Sequence, residues 1–352
     1  MCQVHSRVVR IALYVGFRAD LLSFDHSIET IRSLFAIAET FFSFSTICTM
    51  AKLINGKEIS DKVVKSVGEE LQKTKEAHPE FNACLAIVQV GNRSDSNVYI
   101  RNKLKKASDI GMGTRMVSLS EQITQAELEA EIDSLNNDPE VDGIIVQLPL
   151  DCVNKIDADA VIDRISHEKD VDGLTRENAG RLMRGELDRT IFPCTPYGCL
   201  HLVQEATGDK NFVQGKRVVV VGRSKIVGSP AAALFLWHNG TTTICHSKTE
   251  NLPEVCRSAD ILVVAIGKAK FVKGDWVKPG AVVIDCGINV EELEGGKRKL
   301  YGDVDFEAAK EVASHITPVP GGVGPMTVAM LIKNTYTQAV ERRLKSQNGC
   351  SE

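Results

Sequence analysis

Several features that would settle a class quickly are missing from this sequence. Its ten cysteines form no C-x-x-C pair, so the paired-thiol spacing of a zinc site is absent. Cys194 and Cys199 are the closest two, and buried reduced thiols in a reducing compartment are expected. No metal site is expected. No stretch reaches the roughly 20 uninterrupted apolar residues of a membrane helix; the apolar region 33–49 is interrupted by Glu39 and rich in Ser and Thr. There is no long basic run, and the formal net charge of −4 gives no sign of a nucleic-acid or membrane partner. Internal repeats at solenoid periods and low-complexity tracts are absent too. What remains is a soluble globular composition, 43% hydrophobic and 25% charged, on 352 residues, a length natural for two domains.

From Gly56 onward strands and helices alternate. Ile59, Val63, Val67 and Leu71 mark one face of a helix over 58–76. Strands are predicted at Cys84–Val90, Thr114–Leu119 and Gly143–Pro149, with helices at 95–110 and 124–136 between them. Residues 157–208 read as mainly helical, broken at Asp170-Val171-Asp172-Gly173 and by Pro193 and Pro196. A second α/β unit starts near Lys216, with later strands at Asp260–Ile266 and Ala281–Cys286, each closed by a glycine. The alternation implies parallel sheets in two α/β domains, the second Rossmann-like, with a cleft between them. The charged, glycine-bearing residues 291–301 read as a surface loop. Pro318 to Thr327 reads as a rigid irregular loop before a final helix over 326–345, expected to pack back on the first domain.

The stretch Val218-Val219-Val220-Val221-Gly222-Arg223-Ser224-Lys225-Ile226-Val227-Gly228-Ser229-Pro230 is central. Four β-branched residues predict a strand buried on both faces. Gly222 makes the turn, and Ser229 as N-cap with Pro230 at the first helical position would open a helix. A strand, a glycine turn and a helix N-terminus make an anion site. The spacing is not G-x-G-x-x-G, so a plain βα turn is the bland alternative. The next predicted strand, Thr241–Cys245, leads into His246-Ser247-Lys248-Thr249 and meets no carboxylate until Glu250. An acid there would hold a ribose 2′-hydroxyl; hydroxyl and basic groups, with Arg223 in reach, suit a 2′-phosphate. The site therefore reads as one for NADP rather than NAD.

Ser96, Tyr99 and Lys103 share one helix face, and a partly buried lysine near a tyrosine can have its pKa lowered for proton transfer. The bland alternative is a solvated face, since Arg101, Lys105 and Lys106 flank Lys103. Gln147 interrupts an apolar strand at its carboxyl end, where ligands bind in parallel sheets. Its buried amide needs a partner. Asp172 is either a turn cap or a ligand-binding carboxylate.

Taken in order, Ser96-x-x-Tyr99-x-x-x-Lys103, Val146-Gln147-Leu148-Pro149, Asp170-Val171-Asp172-Gly173, Gly222-Arg223-Ser224-x-x-x-Gly228 and Pro320-Gly321-Gly322-Val323-Gly324-Pro325-Met326-Thr327 closely resemble the bifunctional methylenetetrahydrofolate dehydrogenase/methenyltetrahydrofolate cyclohydrolase family. The likeness runs from about Ala51 to about Leu344. It implies NADP-dependent oxidation of 5,10-methylenetetrahydrofolate and hydrolysis of the methenyl product to 10-formyltetrahydrofolate in one shared site. Lys103 would move the proton, Tyr99 would stack on or align the folate, Gln147 would bond and tune Lys103, and Asp172 would hold the pterin. Val146, Leu148, Pro320, Gly321 and Gly322 would line the folate side. Gly222, Arg223, Ser224 and Ser247 would hold NADP, with Ile288 at the nicotinamide. Residues 50–196 would form the folate domain, completed by helix 326–345, and residues 197–318 the NADP domain. A homodimer is implied. NAD-using members are expected to depart from Cys245-His246-Ser247-Lys248-Thr249. Larger relatives add a formyltetrahydrofolate synthetase domain; with no G-x-x-x-x-G-K-[ST] loop before the last residue, Glu352, that activity is not expected. The rival readings are a dehydrogenase acting on another small substrate and a non-catalytic folate-binding protein.

Residues 1–49 stand apart. Arg7, Arg10 and Arg18 precede the first acid, Asp20, and faintly resemble a mitochondrial transit peptide. Asp20, Asp25, Glu29 and Glu39 contradict that signature, and Met50 directly precedes the first regular sequence. The segment is expected to be an untargeted, poorly ordered extension of a cytoplasmic protein. A transit peptide and a mitochondrial location are the alternative.

Overall fold

The computed structural model describes residues 50–293 and 297–345; the expectation for the N-terminal extension lies outside the described residues. Strand β1 (Lys52–Leu53) leads into helix α1 (Gly56–Ala77), which Asn55 caps by accepting the Glu58 N–H. Strand β2 (Cys84–Val90), helix α2 (Ser94–Asp109), strand β3 (Gly113–Leu119), helix α3 (Gln125–Asn137) and strand β4 (Gly143–Val146) follow. The three strands pair in parallel in the order β3-β2-β4. Every residue of β2 is buried, as a continuous apolar run between two covering layers requires. A reciprocal Thr124–Glu127 capping box opens α3.

Helices α4 (Ala158–Asp163), α5 (Arg176–Arg184) and α6 (Cys194–Thr207) lead to the second sheet. Its elements are β5 (Arg217–Val221), α7 (Gly228–Trp237), β6 (Thr241–Cys245), α8 (Leu252–Arg257), β7 (Ile261–Val264) and β8 (Val282–Asp285). Strands β9 (Asn289–Leu293) and β10 (Lys297–Tyr301), helix α9 (Phe306–Lys310), strand β11 (His315–Ile316) and helix α10 (Val323–Val340) complete the chain. The six-stranded sheet is parallel throughout, in the order β1-β11-β8-β7-β5-β6. Its first strand thus comes from the start of the regular sequence: Lys52 pairs with His315 and Leu53 with Ile316.

Three expectations are corrected. Residues 291–301 are not a loop: β9 and β10 form an antiparallel hairpin whose charges face each other, Glu292 opposite Arg298 and Glu291 opposite Lys299. Cross-strand pairing of opposite charges lets so polar a segment form strands. Helix α7 starts at Gly228, with Val227 and not Ser229 at the N-cap. The Ser224 hydroxyl accepts the N–H groups of Val227 and Gly228 at 3.2 and 3.3 Å, while Ser229 Oγ donates to the Arg223 carbonyl at 3.3 Å. The last helix begins at Val323, inside the expected irregular loop. Pro325 fits there because first-turn N–H groups have no intrahelical acceptor to lose.

One apolar cluster joins both halves through Leu71 of α1, Ile87 of β2, Leu200 of α6, Val218 and Val220 of β5 and Leu331 of α10. The end of α10 is fixed by charge. The fully buried Asp142 side chain accepts from Arg342 Nη1 at 2.9 Å, Arg343 Nε at 2.8 Å and the Cys84 N–H at 3.0 Å. Among the described residues no helix is long and apolar enough to cross a membrane.

Candidate active site

Two clefts lie along the boundary between the two sheets. The first, about 550 Å³, is bordered by Tyr99 of α2, Cys286, Gly287 and Ile288 after β8, and the 318–325 segment that enters α10. The second, about 520 Å³, is bordered by Leu148 after β4, Gly173, Pro193, and Ile226, Ser229 and Pro230 of the β5–α7 connection. The expected residues are therefore distributed. Tyr99, Pro320, Gly321, Gly322 and Ile288 border the first cleft and Leu148 the second. Val146 is buried in the core of the three-stranded sheet.

The basic face of α2 resolves into separate roles. Lys106 Nζ pairs with Asp61 at 2.8 Å and donates to Ser60 Oγ at 3.1 Å. Arg101 Nε donates to the Asn97 carbonyl at 3.2 Å. Lys103 is partly buried and donates from Nζ to Gln147 Oε1 at 2.9 Å, across 44 positions of sequence. Gln147 in turn donates from Nε2 to the Leu148 carbonyl at 2.8 Å. The amide is oriented by that second bond, so its oxygen faces the ammonium. Tyr99, one helical turn from Lys103, is 41% exposed at the mouth of the first cleft.

The turn-cap role open to Asp172 belongs to Asp170. Its carboxylate accepts the Leu174 N–H at 3.1 Å, the Thr175 N–H at 2.8 Å and Asn178 Nδ2 at 2.9 Å. Asp172 takes no part in that cap, and its side chain is hydrogen-bonded to Cys194. Burial pushes its carboxyl up; the charge of Lys103 opposes this, and the negative charge of Asp170 adds to it. The turn is tied to α10, where the buried Asn334 donates from Nδ2 to the carbonyls of Val171 and Phe192 at 2.9 and 3.0 Å. The glycine loop is held similarly: Gly321 accepts the Lys57 N–H at 3.0 Å, at the N-terminus of α1.

The β5–α7 turn has the shape of a phosphate cradle. Gly222 has φ 126°, and a Cβ there would lie 2.1 Å from the Ala265 carbonyl oxygen. A Cβ at Gly228 would lie 2.3 Å from the Gly222 carbonyl oxygen. Side chains are excluded at both positions, so backbone can approach a ligand closely. Val221 and Cys245 are register partners on neighbouring strands. Arg223 and Ser247 each stand two residues beyond that pair, exposed, as Ser224 is. This donor set fits a dinucleotide carrying an extra phosphate. Sequence reasoning missed Asp285 and Asp303, although Asp285, like Gln147, is a polar residue at the carboxyl end of an apolar strand.

The sequence matches the catalytic domain of tetrahydrofolate dehydrogenase/cyclohydrolase over residues 54–172 and its NAD(P)-binding domain over residues 193–343. It is 53% identical to a cytoplasmic C-1-tetrahydrofolate synthase of Drosophila melanogaster over 302 residues, which cover 84% of this chain and 31% of that one. The chain thus spans about a third of the length of that relative. A bifunctional protein FolD of Acetivibrio thermocellus is 50% identical over 289 residues, 82% of this chain and 97% of that one. In structure, the Trypanosoma brucei methylenetetrahydrofolate dehydrogenase-cyclohydrolase, solved with NADP cofactor and inhibitor, superposes with a TM-score of 0.78 at 36% identity, covering 84% of this chain and 99% of that one. Both domains are present in order, and a relative is matched along nearly its whole length. The chain belongs to the tetrahydrofolate dehydrogenase/cyclohydrolase family.

Proposed function

We propose that this protein oxidises 5,10-methylenetetrahydrofolate with NADP and hydrolyses the resulting methenyl compound to 10-formyltetrahydrofolate, both in one site. The observation that carries this reading is the Lys103–Gln147 bond of 2.9 Å on the helix face that also presents Tyr99. NADP, when bound, supplies the hydride acceptor. Gly222, Arg223, Ser224 and Ser247 hold it, and Ile288 borders its reacting end. The folate lies between Tyr99 and the Pro320-Gly321-Gly322 loop, and Leu148, on the second cleft, acts through its carbonyl, which orients the Gln147 amide. Val146, inside the core, acts by setting the strand end from which Gln147 projects. The Asp172 carboxyl recognises the N–H groups of the pterin edge. Loss of hydride leaves a cationic methenyl carbon, which water attacks. In its neutral amine form Lys103 Nζ, which Gln147 Oε1 keeps aimed, takes the proton released in that attack and returns it to N5 as the bond between N5 and the methenyl carbon breaks.

In this reading residues 50–196, with helix 326–345, form the folate lobe and residues 197–318 the NADP lobe. The protein acts in the cytoplasm, as the name of the fly relative states for that protein. It works as a homodimer. Strand β6 is an edge strand, and Leu236, Trp237 and Ile244 on it and on the α7 beside it are exposed, which supports pairing through that edge.

The test is the absorbance of methenyltetrahydrofolate formed with NADP and then with NAD, on the parent and on Arg223→Ala. The parent should prefer NADP. The variant should lose about 1.5–3 kcal/mol of NADP binding, seen as a raised Michaelis constant, with little change for NAD. No methenyl product with either dinucleotide sinks the reading, and equal effects on both sink the role of Arg223.

A further inference from the structure

Behind the cleft-facing loops of the six-stranded sheet lie two buried carboxylates that the chemistry above leaves unused. Asp303 is 0% and Asp285 3% exposed. Asp303 Oδ2 accepts the N–H groups of Ile266 and Gly267 at 2.7 and 2.9 Å; its Oδ1 accepts the Lys268 N–H at 2.8 Å and Asn289 Nδ2 at 2.9 Å. Asp285 Oδ1 accepts the N–H groups of Gly287 and Asp303 at 2.9 Å each, and its Oδ2 that of Val304 at 2.9 Å. These partners are amides, not cations. The loops after β7, β8 and β10 are thereby drawn onto one pair of anions. Two glycines make room for them. A Cβ at Gly302 would lie 1.9 Å from Asp285 Oδ2, and one at Gly287 2.4 Å from Asp303 Cγ.

The same bonds reach the dinucleotide turn. The peptide unit between Ala265 and Ile266 is planar and trans, so its N–H and carbonyl point in opposite directions. The Ile266 N–H is held by Asp303, and the Ala265 oxygen on the other edge packs against Gly222. On the β8 side, the Gly287 N–H is held by Asp285 and the Asn289 amide by Asp303, with Ile288 between them exposed toward the first cleft. We propose that Asp303 and Asp285 are positioning residues for the dinucleotide, acting through the Ala265–Ile266 peptide on the Gly222 turn and through Gly287 and Asn289 on Ile288. Burying carboxylates that no cation neutralises is costly, and ordinary turns would close these loops. What the pair adds is a fixed distance between the two surfaces that the dinucleotide must touch.

The inference rests on the NADP reading above, and its test keeps the two apart. Asp303→Asn keeps the shape but sets an N–H₂ against donor N–H groups. Asn289→Ala removes a single donor and is the milder variant if Asp303→Asn folds poorly. For each, NADP binding is measured by calorimetry, oxidation is resolved into KM for NADP and kcat, and methenyl hydrolysis is measured without dinucleotide. Asp303→Asn should raise the NADP Kd and KM by at least about tenfold, as expected when several charge-assisted hydrogen bonds are weakened. Asn289→Ala should move them less and in the same direction. Hydrolysis and the KM for folate should stay within about twofold in both, because neither needs the dinucleotide turn. An unchanged NADP Kd in a folded variant overturns the inference, as does hydrolysis falling in step with NADP affinity, which marks a purely structural role. A parent that does not bind NADP overturns the NADP reading as well.

Discussion

Asp285 shows how a single residue couples the fold to pH. Burial pushes its carboxyl from the ordinary 3.8 up to about 6, against the pull of the Val304, Asp303 and Gly287 N–H bonds, and the nearby Asp303 charge pushes it further. A carboxyl raised in the folded state favours folding below the unfolded value and loses that contribution as pH rises through the folded one. Comparison with Asp285→Asn cancels the other groups. In urea unfolding, the stability of the parent relative to the variant should fall by about 2 kcal/mol between pH 4 and pH 7. A pH-independent difference would mean that Asp285 titrates as in an unfolded chain. At this scale much of the site was legible. Gln147 announces itself as a polar residue closing an apolar strand, and its partner proved to be Lys103. Asp285 carries the same signal, but no local pattern reveals that its acceptor oxygens gather N–H groups from residue 287 and from residues 303 and 304. The capping role open to Asp172 fell to Asp170 because only the latter is bonded to the α5 N-terminus, a matter of turn geometry that composition does not carry.

At the scale of elements, apolar periodicity located β2, β4, β5, β7 and β8, which are buried on both faces and so lack polar alternation. It missed the β9–β10 hairpin, whose stability comes from pairing acids on one strand with bases on the other. The N-cap reading also placed the start of α7 two residues late, since the capping hydroxyl is supplied by Ser224 from the preceding turn. The end of the final helix depends on Asp142, the residue before β4. Removing one partner of a buried ion pair leaves the other charges uncompensated. Asp142→Ala should therefore destabilise the protein by about 3–5 kcal/mol in urea unfolding. NADP affinity measured under native conditions should change little, because Gly222, Arg223 and Ser247 belong to the other sheet. A loss below 1 kcal/mol would mean that Arg342 and Arg343 do not hold the helix end.

For the whole molecule, a shared apolar core and a first strand that pairs beside the last keep the two sheets from being independent units. That crossing was illegible in the sequence, because Lys52–Leu53 is too short to show a period. The described fold begins at Met50, so a chain starting there should keep its oxidation rate and its melting temperature; a clear loss of either would show that residues 1–49 contribute to the enzyme. The central claim is that one site performs both oxidation and hydrolysis with Lys103 as its proton carrier. The direct measurement is the rate of methenyltetrahydrofolate hydrolysis by Lys103→Gln, beside NADP binding and thermal unfolding of the same sample. Loss of general acid–base catalysis should slow hydrolysis by about 10²–10⁴-fold, with NADP affinity and melting temperature retained and oxidation reduced less. Hydrolysis at the parent rate in a folded, NADP-binding variant would contradict the account.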